Sequence, residues 1–240
     1  MISAVVFDLD GVILDSEELW NEVREGVARE RGGRWSDRAT TDMMGMSSTE
    51  WSRYMHEVVG LQEPPEEINR EVVRRMIDRY AQRLPLIDGA AEAVRRTAAR
   101  WPLGLASSSN RELIDRALDV SGLKQYFRAT VSSEEVERGK PASDVYLEAA
   151  RRLGVEPAKC AAIEDSAGGI RSAHAAGIRV VAIPNRAFPP PENVLQLAIL
   201  VLKSISELEP DRLIAATRDS SRPGRSVTRS RRAGPPARGR

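Results

Sequence analysis

Cysteine is almost absent from this sequence: Cys160 is the single one in 240 residues. An intrachain disulfide and a thiolate metal cage are thereby excluded, and a reducing compartment is the natural setting. The neighbours Ala161, Ala162 and Ile163 make Cys160 look like a small buried hydrophobe and not a reactive thiol. Histidine is nearly as scarce, and neither His56 nor His174 has a partner at metal-ligand spacing. Long apolar runs are missing too. No stretch approaches the roughly 20 residues of a transmembrane helix, and the opening run from Ile2 to Phe7 is too short, and too soon interrupted by Asp8, for a signal sequence. A cytoplasmic protein that does not engage a membrane is expected.

Net charge is also small, at +1, but it is unevenly spread. The segment from Arg218 to Arg240 holds eight arginines against one aspartate, so the remainder of the chain is mildly acidic. From Thr217 to Arg240 the chain is rich in Arg, Ser, Pro and Gly and lacks apolar periodicity, which reads as a disordered tail. That tail has no aromatic residue for stacking bases, so nucleic acid is not an expected partner. What is present, 41% hydrophobic and 30% charged residues, is the composition of a soluble globular protein. The length suits one α/β domain with an insertion, or two small domains, and a monomer or weak dimer is expected.

Short aliphatic runs recur along the chain: Ala4 to Phe7, Leu103 to Ala106, Ala129 to Val131, Ala161 to Ile163, Val180 to Ile183 and Ile199 to Leu202. Continuous apolarity of this kind suits strands covered on both faces. Helical patterns lie between them. One carries Leu113, Ile114, Ala117 and Leu118, the next Val145, Ala149 and Leu153 before a stop at Gly154, and another Ile170, Ala173 and His174 before Gly177. The alternation βαβα implies an α/β fold with a doubly wound, Rossmann-like parallel sheet.

The interval between the first two strands breaks the rhythm. Ser16 is placed to cap a helix with Leu19, Trp20, Val23 and Val27 on its apolar face, ending at Gly32-Gly33. Ser47 and Glu50 have the spacing of a capping box before a helix with Trp51, Met55 and Val58 inward. In a third helix Ile68, Val72, Met76 and Tyr80 repeat every four residues. An all-helical cap domain at 16–83, inserted into a core formed by 1–15 and 84–216, with the tail at 217–240, is the expected organisation.

The strand Val5-Val6-Phe7 delivers Asp8 and Asp10 at its C-terminal end, the ligand-binding edge of a parallel sheet. An i, i+2 pair projects to one side while the strand lasts, and Gly11 then permits a sharp turn. Taken alone, Asp-x-Asp-Gly is equally an Asp-rich turn. The run Ala106-Ser107-Ser108-Ser109-Asn110, at a strand-to-helix junction, offers a hydroxyl and backbone N–H groups for a phosphate, or simply a helix cap. In the loop Arg138-Gly139-Lys140-Pro141, a lysine stands out because the chain has four lysines against thirty-two arginines. A compact ammonium can bridge a phosphate and a nucleophile without imposing a fork, although an exposed turn cation is as compatible with the spacing. Finally Glu164-Asp165 closes the run Ala161 to Ile163 ahead of a helix rich in small residues. Hard oxygen donors there suit Mg²⁺, and acids at a helix N-terminus are also common because the dipole favours them.

The segment Val5 to Ser16, with Asp8-Leu9-Asp10-Gly11 and Asp15-Ser16, resembles the first motif of the haloacid dehalogenase superfamily, in its branch containing β-phosphoglucomutase and phosphoglycolate phosphatase. Ser107, Gly139-Lys140-Pro141 and Glu164-Asp165-Ser166, followed by Ala173-x-x-Ala176-Gly177, are similar to its other three motifs, in order, and with the cap they account for about residues 1 to 205. The resemblance implies that Asp8 is the nucleophile, forming an aspartyl-phosphate, and Asp10 the general acid and base. It implies phosphate binding by Ser107, the Ser108 amide and Asn110, charge stabilisation by Lys140, and Mg²⁺ held by Asp8, Glu164, Asp165 and the backbone carbonyl of Asp10. Chemically this is coherent, since a carboxylate attacks phosphorus once a cation screens the repulsion and the leaving alkoxide needs a proton. The substrate implied is a small phosphorylated metabolite. A haloacid dehalogenase proper would lack Asp10 and need no Mg²⁺, and a non-catalytic relative would be expected to have lost one of these residues. A phosphomutase is the main alternative. At the positions where the mutase carries a cap histidine and a cap arginine this chain has Trp20 and Ser48, which favours hydrolysis.

Overall fold

A computed structural model describes residues 1–186 and 188–219. Of the disordered tail expected at 217–240, residues 217–219 instead continue the helix Pro210–Asp219, with Thr217 buried, and the rest lies outside the described residues.

In chain order the elements are β1 (Ala4–Phe7), α1 (Glu17–Glu30), α2 (Asp37–Asp42), α3 (Ser48–Glu57), α4 (Pro65–Gln82), α5 (Ala90–Ala98), β2 (Leu103–Ser107), α6 (Arg111–Ser121), β3 (Phe127–Ser132), α7 (Asp144–Leu153), β4 (Cys160–Glu164), α8 (Ala167–Ala175), β5 (Arg179–Ala182), α9 (Glu192–Leu195), β6 (Ala198–Val201) and α10 (Pro210–Asp219). The six strands form one parallel sheet in the order β3-β2-β1-β4-β5-β6. Strand β1 therefore lies at the centre, with Phe7 paired to Leu105 of β2 on one side and to Ile163 of β4 on the other. Successive crossovers run outward in opposite directions from it, so the crevice at the C-terminal ends of β1 and β4 is where the connections part and a ligand finds room.

The central strands β1, β2 and β4 are buried along their whole length and apolar up to their last residues because both faces of the sheet are covered. Alternate residues of β1 divide between two cores. Val5 and Phe7 join Leu105 and Ile163 beneath Val94 of α5 and Leu113 and Ile114 of α6. Ala4 and Val6 join Ala106, Val131 and Ala162 beneath Tyr146 and Ala149 of α7 and Ile170 of α8. Helices α6 and α7 stop at Gly122 and Gly154, whose φ values of 67° and 68° are left-handed and suit a residue without a Cβ.

Helices α1 to α4 all fall between β1 and β2. Their buried residues, among them Trp20, Val27, Trp51, Met55, Ile68, Val72, Met76 and Tyr80, belong to the same apolar cluster as one face of the sheet. Around this core Arg75 pairs with Glu30 at 2.5 Å and Arg79 with Glu22 at 2.6 Å, tying α4 to α1 at the surface.

Local expectations are met unevenly. The capping box expected of Ser47 and Glu50 forms, Glu50 accepting from the Ser47 amide at 2.8 Å and also from the Ser47 hydroxyl at 2.7 Å. Ser16 precedes α1 without capping it, because its hydroxyl donates to Asp10 instead. Strands β5 and β6 end at Ala182 and Val201, leaving Ile183 and Leu202 just beyond them. Val58 is 56% exposed, at the C-terminal end of α3, and so does not join its inward face.

Candidate active site

Strand ends bring the chemistry together. Asp8 follows β1, its amide still donating to the Ile163 carbonyl at 3.0 Å, while Glu164 closes β4 and Asp165 follows it. One carboxylate oxygen from each of Asp8, Glu164 and Asp165 lies within 4.8 Å of the others, and all three residues are buried. Lys140 enters from the loop before α7, after Gly139, and its Nζ lies 2.9 Å from Asp8 Oδ1 and 2.6 Å from Glu164 Oε1. Oδ1 of Asp8 also accepts from the Leu9 amide at 2.8 Å, whereas Oδ2 takes no hydrogen bond among the described residues.

Glu164 is 0% exposed and does not line the cavity. Its Oε1 accepts from Lys140 and, at 2.7 Å, from the Tyr146 hydroxyl, and its Oε2 from Ser166 Oγ at 3.3 Å. Ser166 in turn caps α8, accepting from the Gly169 amide at 3.1 Å. The packing leaves no slack: a Cβ on Gly169 would lie 1.9 Å from Glu164 Oε1, and one on Gly11, whose φ is +78°, would lie 1.9 Å from Asp165 Oδ2.

The electrostatics follow from burial. Desolvation, reinforced by the charges of Glu164 and Asp10 and opposed by Lys140, pushes the Asp8 carboxyl up to about 8. Burial, with Glu164 and Asp8 beside it, raises Asp165 well above the usual carboxylate range. Burial by itself would lower Lys140, but Asp8 and Glu164 overcome it and hold the ammonium above its ordinary value. Three carboxyl groups share one ammonium here, an arrangement that invites a hard divalent cation. The donors fit such an ion: all are oxygens, they converge, and the two glycines leave space that a side chain would fill.

Asp10 is held separately. Its Oδ1 accepts from Ser16 Oγ and, at 3.4 Å, from Trp20 Nε1, and its Oδ2 from Ser109 Oγ at 2.6 Å and Ser107 Oγ at 3.5 Å. The side chain thus bridges β1, the start of α1 and the loop after β2, beside the three-carboxylate cluster and not within it. All of this opens on a cavity of about 440 Å³ lined by Asp8, Asp10, Lys140 and Asp165, by Ser108 and Ser109, and by residues of the helices inserted after β1, including Trp20 and Trp51.

Of the residues read from the sequence, Asp8, Asp10, Lys140 and Asp165 face this cavity, with Ser108. Ser107 is fully buried behind it, accepting from the Ser109 amide at 3.0 Å. Asn110 is not brought to it: its Nδ2 donates to Glu134 Oε1 at 2.6 Å and to Asn69 Oδ1 of α4 at 3.2 Å, on the wall of a second cavity. Sequence reasoning passed over Ser109, although it stands in the same serine run, and Arg24, which directly follows Val23 on α1.

A strand-end nucleophile candidate, a lysine and paired acids around the switch point define a class, and comparison with known proteins agrees with it. Residues 5–183 match the family of haloacid dehalogenase-like hydrolases, and the chain belongs to that family. Several of its curated relatives are named as phosphatases. It is 33% identical over 211 residues to hexitol phosphatase B of Escherichia coli, covering 86% of this chain and 94% of the relative, and 30% identical over 182 residues to fructose-1-phosphate phosphatase YqaB of the same species, covering 75% and 95%. At 31% identity it covers 48% of the length of a bifunctional riboflavin kinase/FMN phosphatase of Arabidopsis thaliana, and 76% of this chain takes part in that match. Among solved structures, CbbY from Rhodobacter sphaeroides with phosphate superposes with a TM-score of 0.77 at 25% identity, over 87% of this chain and 96% of that one. No helix among the described residues is long and apolar enough to cross a membrane.

Proposed function

We propose that this protein is a Mg²⁺-dependent phosphatase that hydrolyses a small phosphate monoester, a sugar phosphate or a phosphoglycolate-like ester, through an aspartyl-phosphate on Asp8. The observation that carries the reading is the position of Asp8: its Oδ1 is fixed by Lys140 and the Leu9 amide, and its Oδ2 is uncommitted beside the cavity. Attack by Oδ2 on phosphorus forms the phospho-aspartate, with Lys140 neutralising charge on the phosphoryl oxygens. Ser108, and the backbone around Ser107, receive the phosphate, while Asn110 acts at the edge of the helical insertion. Asp10, turned into place by Ser16, Trp20 and Ser109, gives a proton to the leaving alkoxide and later takes one from the attacking water. A divalent cation held by Asp8 and Asp165, with the Asp10 carbonyl and with Glu164 behind them, supplies the positive charge that keeps Asp8 ionised and screens the incoming phosphate. The names of the relatives, which concern hexitol and fructose 1-phosphate, support a phosphorylated sugar or polyol.

In this account residues 16–83 form a cap over a core of 1–15 and 84–216, and the enzyme works in the cytoplasm as a monomer or weak dimer. The phosphomutase alternative draws on one observation, the cation Arg24 among the cavity residues. Trp20 donates to Asp10 and Ser48 to Glu134 at 3.0 Å, so neither supplies charge for a second phosphate. The test is release of inorganic phosphate from p-nitrophenyl phosphate and a panel of sugar phosphates. Turnover should fall to background with EDTA and with Asp8→Asn, and return with Mg²⁺ for the unaltered chain alone. Near-normal rates in Asp8→Asn refute the assignment, and conversion of β-glucose 1-phosphate to glucose 6-phosphate without stoichiometric phosphate establishes the mutase.

A further inference from the structure

Two cations are buried among the described residues, Lys140 and Arg24. Lys140 has two carboxylates within 2.9 Å. Arg24, on α1 and 5% exposed, forms no ion pair with any described residue, and its Nε has no hydrogen-bond partner. Its guanidinium packs instead against two neighbouring rings, 4.5 Å from the centroid of Trp20 and 5.0 Å from that of Trp51. The rings are 6.0 Å apart and tilted by 57°, so both meet the guanidinium from one side and neither accepts a conventional hydrogen bond, which leaves its N–H groups as donors. Burial pushes its pKa down to about 10, against the pull of Glu17 and Asp10, so it is still a full cation at neutral pH. All three, Trp20, Arg24 and Trp51, line the cavity that contains Asp8.

A buried charge that no carboxylate contacts is costly, and one fixed at the wall of a cavity is matched by an anion that enters it. The phosphoryl group under attack is served from the strand ends by Lys140 and the serine loop. Arg24 comes from α1, a different element of the cavity wall. Resting on the phosphatase reading, we infer that Arg24 determines specificity by binding a second anionic group, a carboxylate or a second phosphate, on the substrate. The planar fork suits the two oxygens of such a group, and a neutral hydroxyl would leave the charge uncompensated.

The experiment compares the unaltered chain, Arg24→Met and Arg24→Lys on p-nitrophenyl phosphate, a neutral hexose 6-phosphate, phosphoglycolate and a pentose bisphosphate. The unaltered chain should prefer one of the doubly anionic esters over the hexose phosphate by at least about tenfold in kcat/KM. Arg24→Met should reduce turnover of that ester by about 100-fold, chiefly through KM, with a loss at least tenfold smaller on p-nitrophenyl phosphate. Arg24→Lys should recover part of it. Met is apolar and of similar length, so relieving the unpaired charge should raise Tm, whereas a purely packing role predicts a fall. No preference for a second anion, or equal losses on every ester, overturns the inference. Binding by calorimetry in Asp8→Asn separates it from the phosphatase reading: if no ester is hydrolysed, that reading fails, while tighter binding of the bisphosphate than of the monophosphate, abolished by Arg24→Met, still upholds the Arg24 site and its absence sinks it.

Discussion

Replacing Lys140 by Met should destabilise the cation-free protein in a manner that grows with pH. The ammonium is 4% exposed and sits 2.9 Å from Asp8 and 2.6 Å from Glu164, in a cluster where Asp165 adds a third carboxyl group. Removing one partner of a buried ion pair leaves uncompensated charge and typically costs about 3–5 kcal/mol. Protons can replace the missing cation, and this sets the pH dependence. Burial first, then the neighbouring carboxylates, raise Asp8 from 3.8 to about 8, so the folded state favours its protonated form. The stability associated with that raised value is fully present below about pH 4 and is lost as pH climbs through about 8, at up to about 1.4 kcal/mol per pH unit for one proton. Without Lys140, which opposes the shift, Asp8 moves higher still. At pH 5.5 Asp8 is protonated and the variant loses less; at pH 8 it should lose about 3 kcal/mol or more, a large share of the roughly 5–15 kcal/mol that holds a domain together. Urea unfolding in EDTA, followed by fluorescence of the four tryptophans, measures both values. A penalty below about 1 kcal/mol at pH 8, or the same penalty at both pH values, refutes the reasoning.

Gly169→Ala should place its Cβ 1.9 Å from Glu164 Oε1, displacing the carboxylate that grips Lys140, and lower kcat by at least about tenfold with about 1–3 kcal/mol of overpacking cost. Gly168→Ala next to it meets nothing within 4 Å and should raise stability by up to about 1 kcal/mol through helix propensity, so equal destabilisation of both in thermal melts would discount the steric account. Glu134→Ala removes the acceptor for Ser48 Oγ of α3 and, near the sheet edge, for Asn110 Nδ2 and the Arg111 amide, at 3.0, 2.6 and 2.9 Å. Leaving those donors unpaired should cost about 1–3 kcal/mol and speed limited proteolysis within 16–83; unchanged cleavage rates would show that this carboxylate does not tie the inserted helices down.

What the sequence by itself determined is local. The apolar runs place all six strands because a parallel strand is buried on both faces, and such burial is written in consecutive residues. Asp8 and Asp10 fall at the end of β1, and Glu164 at the end of β4, because a run of apolar residues stops there. The four-residue repeat of Ile68, Val72, Met76 and Tyr80 marks the inner face of α4 for the same reason. Tertiary structure alone decided which side chains meet. Whether the Ser16 hydroxyl caps α1 or orients Asp10 depends on where the loop after β1 turns. Asn110 pairs with Glu134 and Asn69 because α4 packs beside α6, a contact between segments 41 residues apart in the chain. Glu164 acts as the anchor of Lys140 and Tyr146, not as a wall of the cavity, because α7, packed on β1 to β3, carries the Tyr146 hydroxyl to it. Arg24 looks like any solvated helix cation in the sequence, and only the approach of Trp51 from α3 buries it against two rings with no described carboxylate in ion-pair contact. Periodicity is fixed by neighbours within a turn or two of the chain, while burial and charge pairing are fixed by residues that chain order does not bring together.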